Sequence, residues 1–195
     1  MMLICSPRAS QKTESSTTAS PADSMEVVKA TEALLNYNGP VYFRLCGEAN
    51  DPMVYKEDYN FEIGKSIVLR EGADVTIIAV GTMVYQSLQA AKKLAEQGVE
   101  CTVINMHTIK PIDKETIEKY CHGCKLVVTV EEGFVSGGLG AAVLEEMAAS
   151  RKPMTKVLNI GLTEFPHAGS YKWMLSETGL DAEHIVDKIL VRLAE

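Results

Sequence analysis

The sequence predicts an α/β fold. Residues from about 65 onward should form a three-layer αβα unit around a mostly parallel sheet. A helix and strand belonging to another sheet precede it. Three observations carry this. Strand-like and helix-like segments alternate from "DVTIIAVG" onward, and such alternation yields a parallel sheet with helices on both faces. Residues 75–80 and 126–130 are apolar runs interrupted only by Thr76 and Thr129, as expected of strands buried on both sides. The helical segments carry their own punctuation: Asp113 and Asp181 stand at N-cap positions and Gly98 at a C-terminal stop.

Taken in order, residues 1–20 ("MMLICSPRASQKTESSTTAS") are rich in Ser and Thr and show no period, which reads as a disordered leader. In "PADSMEVVKATEALLNYNGP", Pro21 and Asp23 open a run with Met25, Val28, Ala33 and Leu35 at roughly helical spacing, and Asn38-Gly39-Pro40 stops it. "VYFRL" is a short strand. Residues 46–64 hold Gly, Pro, Asn and Asp without a sustained period and read as a linker. Then come the strand "DVTIIAVG", the helix "MVYQSLQAAKKLAEQG", the strand "ECTVINMH" and the helix "DKETIEKYC". The strand "KLVVTVEE", the helix "GLGAAVLEEMAAS" and the strand "TKVLNIGL" follow, and the helices "SYKWMLSETG" and "DAEHIVDKILVRLAE" close the chain.

Composition narrows the function classes. With 46% hydrophobic residues over 195 positions, the chain can bury one substantial core. A net charge of −7 argues against nucleic acid or an anionic membrane as the main partner. No apolar run is long enough to span a bilayer, and "MMLIC" is too short for a signal-peptide core, so a cytoplasmic protein is expected. Five scattered cysteines fit reduced thiols.

Several motifs invite chemistry, each with a plainer reading beside it. "VEEGFVSGGLGAAV" resembles a dinucleotide fingerprint, but Gly138-Leu139-Gly140 lacks the third glycine and follows the third strand, not the first. The glycines then serve close approach of a helix N-terminus to the sheet. Glu131 and Glu132 end a parallel strand, at the edge where ligands gather. They read as a catalytic acid–base pair or as solvated or interface carboxylates. The second reading is preferred, because no matching nucleophile appears. Gly81 and Thr82 end another strand at the same edge. His107 and His167 follow strands there as well and can donate hydrogen bonds, although loop histidines with no chemical role are the commoner case. "CHGC" lacks a second ligand pair for zinc and follows a helix where a redox motif would precede one. It reads as a helix end with incidental thiols. Arg44 stands inside an apolar strand, where burial without a partner is costly. It should reach a carboxylate or a phosphate.

The segments "PADSMEVVKATEALLNYNGPVYFRL", "IGKSIVLREGADVTIIAVGTMVYQSLQAAKKLAEQGVECTVINMHTIKPID", "VVTVEEGFVSGGLGAAVLEEM" and "GLTEFPHAGSYKWMLSETGLDAEHIVDKIL" together resemble the C-terminal part of transketolases. Deoxyxylulose-phosphate synthases and the β-subunits of 2-oxoacid dehydrogenases share the pattern. The resemblance covers residues 21–195. It implies that residues 21–45 are the tail of the pyrimidine-binding (middle) domain and residues 65–195 the C-terminal domain, joined by residues 46–64. The implied chemistry is two-carbon ketol transfer between sugar phosphates with thiamine diphosphate and Mg2+. The family's Gly-Asp-Gly motif is absent from these residues. No cofactor is therefore expected on this chain alone, no catalytic residue is assigned to it, and a partner section or subunit should supply the rest in a homodimer or heterotetramer. Arg44 falls where transketolases carry an arginine that contacts the substrate phosphate. The runner-up from another class is a standalone interaction or regulatory module that binds a small ligand at the strand-end cleft near Gly81, Thr82, His107 and Glu131.

Overall fold

A computed structural model describes residues 2–5, 16–45 and 52–195 of the chain. The expectations for the middle of the leader (6–15) and the start of the linker (46–51) lie outside the described residues. The elements run β1 (Met2–Cys5), β2 (Thr17–Ala19), α1 (Ser24–Leu35), β3 (Pro40–Phe43), β4 (Ile67–Arg70), β5 (Val75–Ala79), α2 (Met83–Ala95), β6 (Cys101–Asn105), β7 (Thr108–Lys110), α3 (Lys114–Tyr120), β8 (Leu126–Phe134), α4 (Leu139–Ala149), β9 (Val157–Leu162), α5 (Tyr171–Glu177) and α6 (Ala182–Ala194).

The larger sheet has the order β4-β6-β5-β8-β9. β6, β5, β8 and β9 are parallel, and β4 joins antiparallel at one edge. Every residue of β5 and the first six residues of β8 are buried, which explains the apolar runs at 75–80 and 126–130. Alternate residues of the sheet feed two cores. On one face Ile77, Val103, Val128 and Val130 meet Met83 and Leu94 of α2, Leu175 of α5 and Ile185 and Ile189 of α6. On the other, Ile78, Ile104 and Val127 meet Ile117 of α3 and Leu139, Val143 and Met147 of α4. This is the three-layer arrangement the sequence predicts.

Strand β3 of residues 21–45 does belong to a second sheet, but that sheet is completed by strands from both before and after this segment. Its order is β1-β3-β2-β7. The leader reading needs correcting here. Thr17–Ala19 form a strand that pairs parallel with β3 and antiparallel with β7, and Met2–Cys5 pair antiparallel with β3. Strands this short carry no readable period, and Ser and Thr flank β2 on both sides. Because β7 follows β6 after two residues, the α/β unit lends a strand to the smaller sheet. Ala30 and Leu34 of α1 pack on Val41 and Phe43 beneath it.

The described part of the linker, from residue 52, lacks a helix or strand yet is firmly anchored. Asp23, the N-cap of α1, accepts from the amide of Glu26 at 2.8 Å and, with its other oxygen, from the amides of Val54 and Tyr55 at 2.8 and 3.0 Å. No helix among the described residues is long and apolar enough to cross a membrane.

Candidate functional site: the cleft between the two sheets

Near its end strand β8 carries two adjacent carboxylates, Glu131 and Glu132, and the pleat sends them to opposite faces. Glu131 turns toward the α3–α4 face. It is buried, and its two oxygens accept from the amides of Leu139 and Gly140 at 3.0 Å each. A carboxylate thus fills the N-terminus of α4, where unpaired amides and the helix dipole favour negative charge. The glycines make room for it. A Cβ on Gly138 would lie 1.9 Å from Glu131 Oε2, and one on Gly140 would lie 2.8 Å from the side chain of Asn159. The expectation of a solvated or interface carboxylate is therefore corrected: Glu131 is an internal helix cap. The glycine stretch is the seat of that carboxylate, which removes the basis for a nucleotide site there.

Glu132 turns toward the α2–α5–α6 face. Its Oε2 accepts from Thr82 Oγ1 at 2.6 Å and from the Tyr171 hydroxyl at 3.1 Å, while Oε1 faces Arg44 at 3.5 Å. Thr82 is the N-cap of α2, but its hydroxyl makes no capping bond; it is turned to Glu132 instead. Arg44 lies one residue beyond β3 and its side chain is 40% exposed. It is thus neither within the strand nor buried, as its apolar neighbours in the sequence suggested. Its partner is a carboxylate, one of the two the sequence allowed. Gly81, at φ +61°, lets Ser20 come close: a Cβ there would lie 2.8 Å from Ser20 Oγ. A cleft of about 130 Å3 opens where these parts meet, between Thr18, Ser20, Tyr42, Arg44 and Ile109 in or beside the smaller sheet and Val80 and Glu131 to Gly133 in or beside the larger.

The histidines fall outside this cluster. His107 touches it only through its backbone, whose carbonyl accepts from Ser20 N at 2.9 Å. Its ring is buried, stacks on Phe61 with centroids 4.2 Å apart and shares a 2.9 Å hydrogen bond between Nδ1 and Thr108 Oγ1. Burial pulls its pKa down to about 4, so the ring is neutral near pH 7. His167 lies in a separate hollow of about 310 Å3 formed by residues 161–167 and 177–178. It is exposed and pairs with Glu177 at 2.7 Å, and that hydrogen bond and charge raise its pKa. Cys121 is buried, which pushes its thiol up to about 12, while Cys124 is half-buried. No group of three or more metal-ligating side chains is found among the described residues.

One polar centre escapes the sequence reading. Glu26 is fully buried, yet its carboxylate receives hydrogen bonds from Ala22 N at 2.6 Å, Asn105 Nδ2 at 2.9 and 3.0 Å, Tyr59 OH at 3.1 Å and Tyr55 OH at 3.2 Å. Burial raises its pKa, and the hydrogen bonds hold that rise back. The network ties α1, the linker and β6 together. The Asp23-x-x-Glu26 spacing, a capping-box pattern, was the available signal.

Residues 64–185 match the model of the transketolase C-terminal domain. The chain is 39% identical over 171 residues to one subunit of the apulose-4-phosphate transketolase of Actinobacillus succinogenes, covering 87% of this chain and 55% of that protein. It is 38% identical over 173 residues to a putative transketolase C-terminal section of Methanocaldococcus jannaschii, covering 87% and 53%. Among solved structures it is similar to a split-gene transketolase described as an inactive β4 tetramer, with a TM-score of 0.85, 34% identity and coverage of 92% of this chain and 58% of that one. The chain thus spans about half the length of the relatives it matches. With the match covering residues 64–185, which hold the strands and helices of the α/β unit up to the start of α6, this chain belongs to the transketolase C-terminal domain family.

Proposed function

We propose that the chain is the C-terminal part of a split transketolase-type enzyme and serves thiamine-diphosphate-dependent ketol transfer between sugar phosphates by assembly. In this reading a partner section or subunit supplies the Gly-Asp-Gly motif, the Mg2+ site and the grip on the cofactor diphosphate. This chain completes the oligomer and places Arg44 at the substrate channel. The observation that carries the reading is the filled N-terminus of α4. Its amides, at the glycine-rich stretch, are taken by Glu131. The residues present do not fit a diphosphate–metal group, and no catalytic step is assigned to this chain.

The cleft supports a contributing role over a standalone one. At about 130 Å3 it is well below the roughly 300–1,000 Å3 usual for sites that enclose a small molecule, but it suits one anionic group beside Arg44. The related β4 tetramer is described as inactive, in keeping with a chain that self-associates without turnover.

Calorimetry of the full chain with thiamine diphosphate and Mg2+ tests this. No micromolar binding is expected from the chain alone, and binding with ketol transfer should appear on adding a partner chain that carries Gly-Asp-Gly. Micromolar cofactor binding by the isolated chain overturns the proposal.

A further inference from the structure

We infer that Glu132 is the built-in counter-ion of Arg44, and that it determines how tightly the cleft holds a phosphate group. This rests on the reading of Arg44 as the substrate-phosphate contact. The two hydroxyls that hold Glu132 come from different helices, Thr82 at 2.6 Å and Tyr171 at 3.1 Å, and both engage Oε2. The orientation of the carboxylate is therefore set without help from Arg44. Thr82 gives up the capping bond its position would normally make, a sacrifice that a merely solvated glutamate does not require. Oε1 is left facing one guanidinium nitrogen at 3.5 Å. That is a loose, single-nitrogen contact, not the bidentate fork of a tight pair, and it joins partly exposed side chains, where such pairs are weak and screened by salt.

Among the described residues, this is the one ion pair joining residues 16–45 to the α/β unit. Arg44 is thereby kept over the cleft, where its remaining donors meet no partner among the described residues and can take an incoming anion. A phosphate seated there meets a fixed negative charge alongside the positive one. Glu132 therefore places the arginine and keeps its hold on phosphate weak enough for exchange.

The test follows the Arg44 Nε–Hε signal of the full chain by NMR during titration with inorganic phosphate, at low ionic strength and about pH 8, where phosphate is dianionic. Glu132→Gln keeps an oxygen for Thr82 and Tyr171, removes the charge and turns an amide NH2 toward Arg44 in place of Oε1. Phosphate should bind this variant roughly three- to tenfold more tightly than wild type, with the gap closing as salt is added. Equal or weaker binding by the variant, where wild type responds, overturns the counter-ion role alone. No response in either protein overturns the phosphate reading of Arg44 and this inference with it. Should Glu132→Gln fail to fold, Thr82→Val carries the test. It frees the charged carboxylate to close on Arg44, so phosphate should bind more weakly, and unchanged binding overturns the inference.

Discussion

The buried ring of His107 should write itself into the pH dependence of folding. The side chain is 1% exposed, and its Nε2 is buried with no hydrogen-bond partner among the described residues. Desolvation lowers its pKa from 6.5 to about 4, and Asp113 offsets this only in part. In the unfolded chain the ring takes a proton near pH 6.5, while in the folded chain it stays neutral down to about 4. Between those values the unfolded state binds more protons, so this stability is fully present above about pH 6.5 and is lost as pH falls toward 4. At about 1.4 kcal/mol for each tenfold change in proton affinity, the span from 6.5 to about 4 amounts to about 3 kcal/mol. The assay is urea unfolding followed by far-UV circular dichroism, from about pH 7.5 to 4.5, on wild type and His107→Phe. Phenylalanine keeps an aromatic ring on Phe61, and near neutral pH the variant should lie within about 1.5 kcal/mol of wild type. Glu26 works in the opposite direction. Its raised pKa contributes stability that is present in acid and lost as pH rises through the folded value. Only the difference between the two proteins isolates the histidine. Most of the 3 kcal/mol should appear in that difference, and parallel pH curves would refute the argument.

The other predictions concern stability. Glu26→Gln places an amide NH2 among donors that now converge on a carboxylate, including Ala22 N at 2.6 Å and Asn105 Nδ2 at 2.9 Å, and should cost about 2–4 kcal/mol by chemical denaturation; a loss below about 1 kcal/mol would show that the network tolerates a neutral group. Gly138→Ala drives a methyl into the Glu131 carboxylate, 1.9 Å away, and should cost about 3 kcal/mol or more. Gly137→Ala, at φ +78° with open space around it, should cost only about 1–2 kcal/mol of backbone strain, so the ranking of the two melting temperatures tests whether crowding or conformation governs the turn.

How much of this was legible depended on burial and length. β5 and the first part of β8 were readable because their residues are buried on both sides, which leaves mostly apolar residues to see. β4 was missed: it is a four-residue edge strand with every position half-buried, and it has neither a continuous run nor a clean alternation. β2 and β7 have three residues each and exist only because they pair with one another and with β3, a fact no local pattern carries. The helices were easier, since Asp23, Asp113, Ser170 and Asp181 each cap a helix through an amide three residues on, and that signal is local. Arg44 could be marked as needing an anion, but the identity of the anion depended on how two sheets pack.

The adjacent carboxylates of β8 show why the site resists reading from the chain alone. Successive residues of a strand point to opposite faces, so "EE" at the end of a strand between two helical layers delivers one charge to each. Val128 and Val130 face α2 and α6, and Val127 faces α4; by the same alternation Glu132 must follow the first set and Glu131 the second. The α4 layer offers Glu131 a helix N-terminus cleared of side chains by Gly138, which makes that carboxylate structural. The other layer offers Glu132 two hydroxyls and, across the cleft, an arginine from the second sheet, which leaves it able to answer a ligand. The strand period divides the pair, and the layers then decide what each member does. A glycine turn beside two glutamates thus leaves the role of each carboxylate open until the layer order is known, and is a filled anion seat once it is.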